Sequence, residues 1–231
     1  MVSGMNVILQ GVVGSTAYGL ATPTSDIDRL GVFQARTSEL LGLHPPKESR
    51  VAHDPDVAHH ELAKFVKLCL ANNPTVMELL WLPEYEVCTE VGEALVGIRQ
   101  SFLSQRVRKT YGGYAIQQLE RLKRREEAEP GAGFSADLKK RTEKHGRHCY
   151  RLIIQGMAVL SEGVLRVRLT SEEVQMCREA GLMAANDVEG YEEMVRSLMD
   201  DFNSADTDLP ENPSEELAER LLVLERIKDL G

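Results

Sequence analysis

The chain has 231 residues, 42% of them hydrophobic, and its 27 Lys plus Arg against 36 Asp plus Glu give a formal charge of -9. That length can bury a core without disulfide staples, and the balance excludes a disordered chain, a collagen-like fibre and a uniformly basic nucleic-acid coat protein. No apolar run reaches the ~18–20 residues needed to span a bilayer, and the N-terminus lacks a basic flank followed by a clean apolar stretch, so no membrane partner is expected.

Residues 6–13 are rich in β-formers and end at Gly14-Ser15; a loop with Pro23 follows, and 26–33 reads again as a strand. A third short strand is expected over 57–61. It runs into a helix in which Leu62, Phe65, Val66, Cys69 and Leu70 recur at helical spacing. Asn72-Asn73-Pro74 stops that helix, because the residue before a proline avoids the α region. Further helices are expected over 76–81, around 101–125 and over 136–161, followed by two or three acidic ones. The last has Pro213 near its start and Leu217, Leu221, Leu224 and Ile227 on one face. Residues 126–135 and 203–213 read as loose. The expected class is α+β: a small mixed sheet within 1–98, then a mainly α-helical half over 99–231.

Charge is sorted along this order. Residues 99–151 hold 14 basic and 6 acidic side chains, a surplus of 8, whereas 171–231 hold 5 basic and 17 acidic, a deficit of 12. A chain so arranged can turn a basic surface toward phosphates while staying acidic as a whole. Cys69, Cys88, Cys149 and Cys177 contain no CxxC pair, which suits reduced thiols in a cytoplasmic protein.

The chemistry gathers near the N-terminus, in Gly14-Ser15 and then Ser25-Asp26-Ile27-Asp28. Side chains two apart on a strand point the same way, so Asp26 and Asp28 are expected to present two carboxylates on one face, with Ile27 turned to the core. Adjacent carboxylates repel unless a hard divalent cation lies between them, and Mg²⁺ (or Mn²⁺) takes oxygen ligands while keeping positions for water and phosphate. Gly14 allows close approach of a ligand, and Ser15 adds a hydroxyl and a backbone N–H. Phosphate donors beside a metal platform point to phosphoryl or nucleotidyl transfer from a nucleoside triphosphate.

The string GSTAYGLATPTSDIDRLGV resembles the signature of the DNA polymerase β-like nucleotidyltransferase superfamily. DVAHHELAKFVKLCLANNPTVMELLWLP and EKHGRHCYRLIIQGMAVLSEGVLRV resemble its stand-alone bacterial and phage branch, found beside RNA ligases. The likeness spans roughly residues 6–170 and leaves the acidic tail uncovered. It implies that 1–98 is a catalytic core and that 99–231 completes a nucleotide and acceptor cleft. It further implies that Gly14 and Ser15 hold the β/γ phosphates, that Asp26 and Asp28 bind Mg²⁺, and that a third carboxylate from a neighbouring strand completes a two-metal site. Asp56 is the first choice for that acid and Glu61 the second.

His53, His59 and His60 lie near these acids. Neighbouring His59 and His60 on a strand face opposite ways, which favours structural roles over a shared metal, and Glu78 is expected only to cap or pair locally. Lys144, His148 and Arg151 fall at i, i+4 and i+7 of one helix, with His145 at the edge. This stripe can neutralise a triphosphate, guide an RNA backbone, or simply face water. Tyr111, Tyr114 and Gln118 form a similar stripe, for stacking on a base or for core packing. The leading expectation is transfer of a nucleoside monophosphate to RNA. A protein or small-molecule acceptor, or an inactive nucleotide- or RNA-binding module, stands as the alternative.

Overall fold

The computed structural model describes residues 5–53, 56–128 and 136–231, excluding the side chains of 125–128 and 136–137. Its fold is α+β, as expected. Five strands, β1 (Val7–Val12), β2 (Arg29–Phe33), β3 (Ser49–His53), β4 (Asp56–Glu61) and β5 (Val87–Cys88), form one sheet in the order β3-β4-β2-β1-β5. The sheet is mixed: β2 and β4 run parallel, and the other neighbours antiparallel. Sequence reading misses β3 and β5. One is an edge strand with three of its five residues exposed and no apolar alternation, and the other is only two residues long.

The helices in chain order are α1 (Gly14–Tyr18), α2 (Thr37–Leu40), α3 (Leu62–Leu70), α4 (Pro74–Met77), α5 (Glu90–Gly97), α6 (Arg106–Ala128), α7 (Ala136–Glu162), α8 (Ser171–Asn186), α9 (Val188–Ser204) and α10 (Glu215–Leu230). Helix α3 buries Leu62, Phe65, Val66 and Cys69, the face its spacing marks out. It stops where Asn72 turns to φ 52, and Asn73 Oδ1 caps α4 by accepting from the N–H of Thr75 and Val76 at 3.1 and 3.3 Å, with Pro74 in the first turn. The expected helix over 76–81 is therefore divided: α4 ends at Met77 and a tighter turn covers Glu78–Trp81.

The chain makes two compact units, 1–104 with 210–231, and 105–209. This boundary differs from one after residue 98, and α10 belongs with the sheet rather than with the helical half. Two long-range attachments hold it there. Arg226 Nη2 donates to Glu61 Oε1 at 2.5 Å, and the N–H of Thr37 donates to Asp229 Oδ2 at 2.5 Å. Of the apolar face expected on α10, only Leu221 is buried; Leu217, Leu224 and Ile227 are exposed, and the packed side is Ala218, Leu221 and Glu225.

In the second unit α7 covers the stretch expected for it, α6 starts at Arg106 rather than near residue 101, and α8 and α9 follow. Small residues bring these helices together: Gly146 meets Ala184, Gly181 meets Arg147, and the ring of Phe202 fills the space left by Gly112 and Gly156. Tyr111, only 2% exposed, is core rather than a stacking platform. The stretch 203–213, read as loose, is tied down over its first part. Arg108 donates to the carbonyls of Phe202 and Asn203 in the last turn of α9 and of Ala205 just beyond it, and Gln105 donates to that of Leu209. Residues 126–128 continue α6, while 129–135 of the other loose stretch lie outside the described residues.

Candidate active site

The first unit brings the N-terminal residues together at one end of its sheet. Strand β1 ends at Val12, and Gly14 then turns into α1 with φ 68. The N–H of Val13 donates to Asp28 O at 3.0 Å, the last bond of the β1–β2 ladder. Beyond it β1 offers no partner, so β2 begins at Arg29 and not at residue 26. Asp26 and Ile27 lie in the preceding loop, after a turn closed by Ser25 N–H to Thr22 O at 2.9 Å. Ile27 is 50% exposed, so it does not anchor the segment to the core as the alternating pattern predicts.

Asp28 nevertheless reaches the Gly-Ser turn. A Cβ placed on Gly14 would come 2.4 Å from Asp28 Oδ2, so the carboxylate packs directly on the glycine, with Ser15 next along the chain in the first turn of α1. Asp56 is the first residue of β4. The parallel register sets Arg29 beside Val57, which brings Asp28 and Asp56 to adjacent positions at the same end of the sheet. Asp26 and Asp56 are exposed and Asp28 is half-buried.

Glu61, the second choice for the third acid, is not at this end. It closes β4, is 3% exposed, caps α3 by accepting from Ala63 N–H at 2.7 Å, and pairs with Arg226. Its role is structural. Among the described residues, no group of three or more His, Cys, Asp or Glu forms a ready-made metal cage. The acids at this end, Asp28 and Asp56 with Asp26 in the loop before β2, are carboxylates that are not drawn into such a group. That chemistry fits a small hard cation, which is held by one or two carboxylates together with substrate phosphates rather than by a closed protein cage.

Two supports of this end have no local signature. Tyr18, at the end of α1, donates its hydroxyl to Glu78 Oε1, and both side chains are buried, at 7% and 1% exposure. Glu78 therefore holds the helix that carries Gly14 and Ser15 instead of pairing locally. Arg29, next to Asp28, bonds through Nε to both Glu86 oxygens at 2.9 and 3.0 Å. Gln10 Nε2 bonds to Glu86 Oε2 at 2.9 Å, and its Oε1 lies 2.8 Å from His59 Nε2, over Gly31. Separations of 49 to 76 residues leave no periodicity to read. The histidines are apart: His59 meets Gln10, His60 Nδ1 lies 2.9 Å from Ser49 Oγ, and His53 is exposed.

The second unit holds the cationic stripe. Lys144 is exposed, but Arg151, expected on the open face as a phosphate clasp, is 2% exposed. Its guanidinium bonds to Gln155 Oε1 and, at 3.0 Å, to His148 Nδ1, while Gln155 Nε2 donates to the carbonyls of Arg166 and Val167. The reason is helical geometry, since positions near residue 151 are flanked by Cys149, Leu152 and Ile153, all in the core. His145 Nδ1 lies 2.7 Å from the buried Gln118.

Burial, then Arg151, His145, Lys144 and Arg121, pushes the His148 imidazole down to about 3. The folded chain keeps His148 neutral, whereas the unfolded chain takes up its proton near pH 6.5. Between about 6.5 and 3 the unfolded state binds the extra proton, so stability falls as pH falls, by up to about 1.4 kcal/mol per pH unit. His59 and His60, lowered first by burial and then by cationic neighbours, act in the same direction. Urea unfolding from pH 7.5 to 5 is expected to show this decline, and His148→Asn to flatten it by about one proton. An unchanged slope in that variant would mean that His148 is charged in the folded chain.

Among the described residues no helix is long and apolar enough to cross a membrane. A family model described as RlaP, the RNA repair pathway DNA polymerase beta family, matches residues 2–188. No curated protein matches the chain.

Proposed function

Since the chain belongs to RlaP, the RNA repair pathway DNA polymerase beta family of nucleotidyltransferases, we propose that it moves a nucleoside monophosphate from a nucleoside triphosphate to an RNA acceptor. The observation that carries this reading is the contact of the Asp28 carboxylate with Gly14, which joins the second acid of the pair to the Gly-Ser turn. In this reading the backbone N–H and hydroxyl of Ser15 hold the β and γ phosphates, and Gly14 lets them approach. Asp26, Asp28 and Asp56 hold a divalent cation of the Mg²⁺ or Mn²⁺ class. When bound, that cation supplies neutralisation of the phosphate charge and activation of the attacking hydroxyl. The acceptor hydroxyl gives up its proton to solvent water as its oxygen bonds to the α-phosphorus, the bond to the β-phosphate breaks, and pyrophosphate leaves with its electron pair. Tyr18 and Glu78 keep α1 from moving with the substrate.

The test is incubation of the chain with each α-labelled nucleoside triphosphate, Mg²⁺ or Mn²⁺, and pooled RNA. Label in RNA with stoichiometric pyrophosphate is the expected result. Label in protein or in a small molecule would move the acceptor elsewhere, and no pyrophosphate with any acceptor would overturn the transferase reading.

Gly14→Ala separates geometry from stability. The φ of 68 costs an alanine about 1–2 kcal/mol, and the new methyl group pushes against Asp28 Oδ2. That oxygen ends a short side chain and can swing aside, so the fold is expected to survive with a modest fall in melting temperature. Transfer is expected to drop at least tenfold, as Asp28 leaves its place. A variant with full activity would show that the contact is dispensable.

A further inference from the structure

Helices α6 and α7 gather cations from two neighbouring segments. Together they carry 13 basic and 6 acidic side chains, whereas α8 and α9 of the same unit carry 2 basic and 8 acidic. Lys140, Lys144, Arg147 and Arg151 recur at i, i+4, i+7 and i+11 and so share one face of α7. Lys140 and Lys144 are exposed, as is Arg121 of α6, and Arg147 is half-buried.

The ion pairs along α6 are made by other residues, Lys123 with Glu192 and Arg124 with Glu120. Among the described residues Arg121, Lys140, Lys144 and Arg147 make no ion pair. Beneath them Arg151 is fixed by His148 and Gln155, and through Gln155 to the chain at Arg166 and Val167. Its charge acts on the face from behind without reaching it. The lysine and arginine side chains that shift His148, Arg151, Lys144 and Arg121, are all cations. A field of one sign at a partly dry surface favours negative charge supplied from outside.

We propose that the α6–α7 face formed by Arg121, Lys140, Lys144 and Arg147 docks the phosphodiester backbone of an RNA strand. The choice of RNA rests on the acceptor proposed above; the choice of a backbone rests on the face itself. Its cations are spread along the helix, about 10 Å from Lys140 to Arg147 at 1.5 Å per residue, and do not converge on a single point. Lysines at such spacing meet successive phosphates as point charges, which positions a strand without reading its bases.

The experiment is fluorescence anisotropy of a labelled single-stranded RNA with the full chain, without nucleoside triphosphate or divalent cation, across a salt series. Arg121→Ala combined with Lys144→Ala is expected to weaken binding about tenfold or more. The slope of log K against log salt should fall by about 1.4, at about 0.7 per lost contact on a single strand. Arg178→Ala combined with Arg220→Ala, the same charge change elsewhere, should leave both unchanged. Equal weakening in the two pairs would reduce the effect to net charge and overturn the proposal. So would wild-type chain that does not bind RNA, or ATP displacing the RNA from this face. Asp28→Asn is expected to retain full RNA affinity. A wild-type chain that binds RNA through the patch but transfers nothing would count against the active-site reading alone, and active transfer with patch-independent binding against this one alone.

Discussion

Asp28→Asn should abolish most nucleotidyl transfer while leaving the fold in place. The substitution keeps shape and removes a charge that, at a metal-assisted phosphoryl centre, is worth several kcal/mol of transition-state stabilisation, or about 10²–10³-fold at 1.36 kcal/mol per decade. The ladder bond at this position uses the Asp28 backbone carbonyl, accepting from Val13 at 3.0 Å, and survives the change. Thermal unfolding is therefore expected within about 1 kcal/mol of the parent, the scale of a surface substitution. Adding Asp26→Asn should remove the residual rate. Label incorporation measured beside a melting curve is decisive: a stable variant with parental activity would place the chemistry elsewhere.

Arg226→Ala has the largest expected effect on stability. It leaves Glu61, whose side chain is 4% exposed, without the guanidinium 2.5 Å away. Removing one partner of a buried pair costs about 3–5 kcal/mol, and the 18% exposure of Arg226 puts this site near the lower figure. Lysine restores the charge without the fork that also reaches Ala35 O at 3.0 Å, so Arg226→Lys should recover only part. The effect should fall on unfolding by urea and much less on chemistry, since Glu61 closes β4 at the end opposite Asp56. A midpoint unchanged by Arg226→Ala would show that α10 is held by other contacts.

These two variants mark the divide between local and distant information. Asp28 can be singled out because its partners in the motif, Gly14, Ser15 and Asp26, lie within 14 residues of it, and because a Gly-Ser turn ahead of paired acids is chemically unusual. Asp56 ranks above Glu61 in the sequence because it opens the Asp-Val-Ala strand, and the two occupy opposite ends of β4. Ile27 and the start of β2 were misplaced for one reason: alternation describes a strand only while a neighbour remains to pair with, and β1 has already turned away.

Local spacing, capping residues and proline positions sufficed for α3, α7 and most of α6, because i to i+4 contacts are written in consecutive residues. They also singled out Gly14 and Asp28, which pack together, but not the loop that holds Asp26 and Ile27. Which unit receives α10, that Glu78 steadies α1 through Tyr18, and that Arg151 lies inside while Lys144 stays in water depended on contacts that spacing does not encode. Burial and long-range pairing are properties of the packed chain: a basic residue on a helical stripe reads the same whether a neighbouring helix covers it or solvent does.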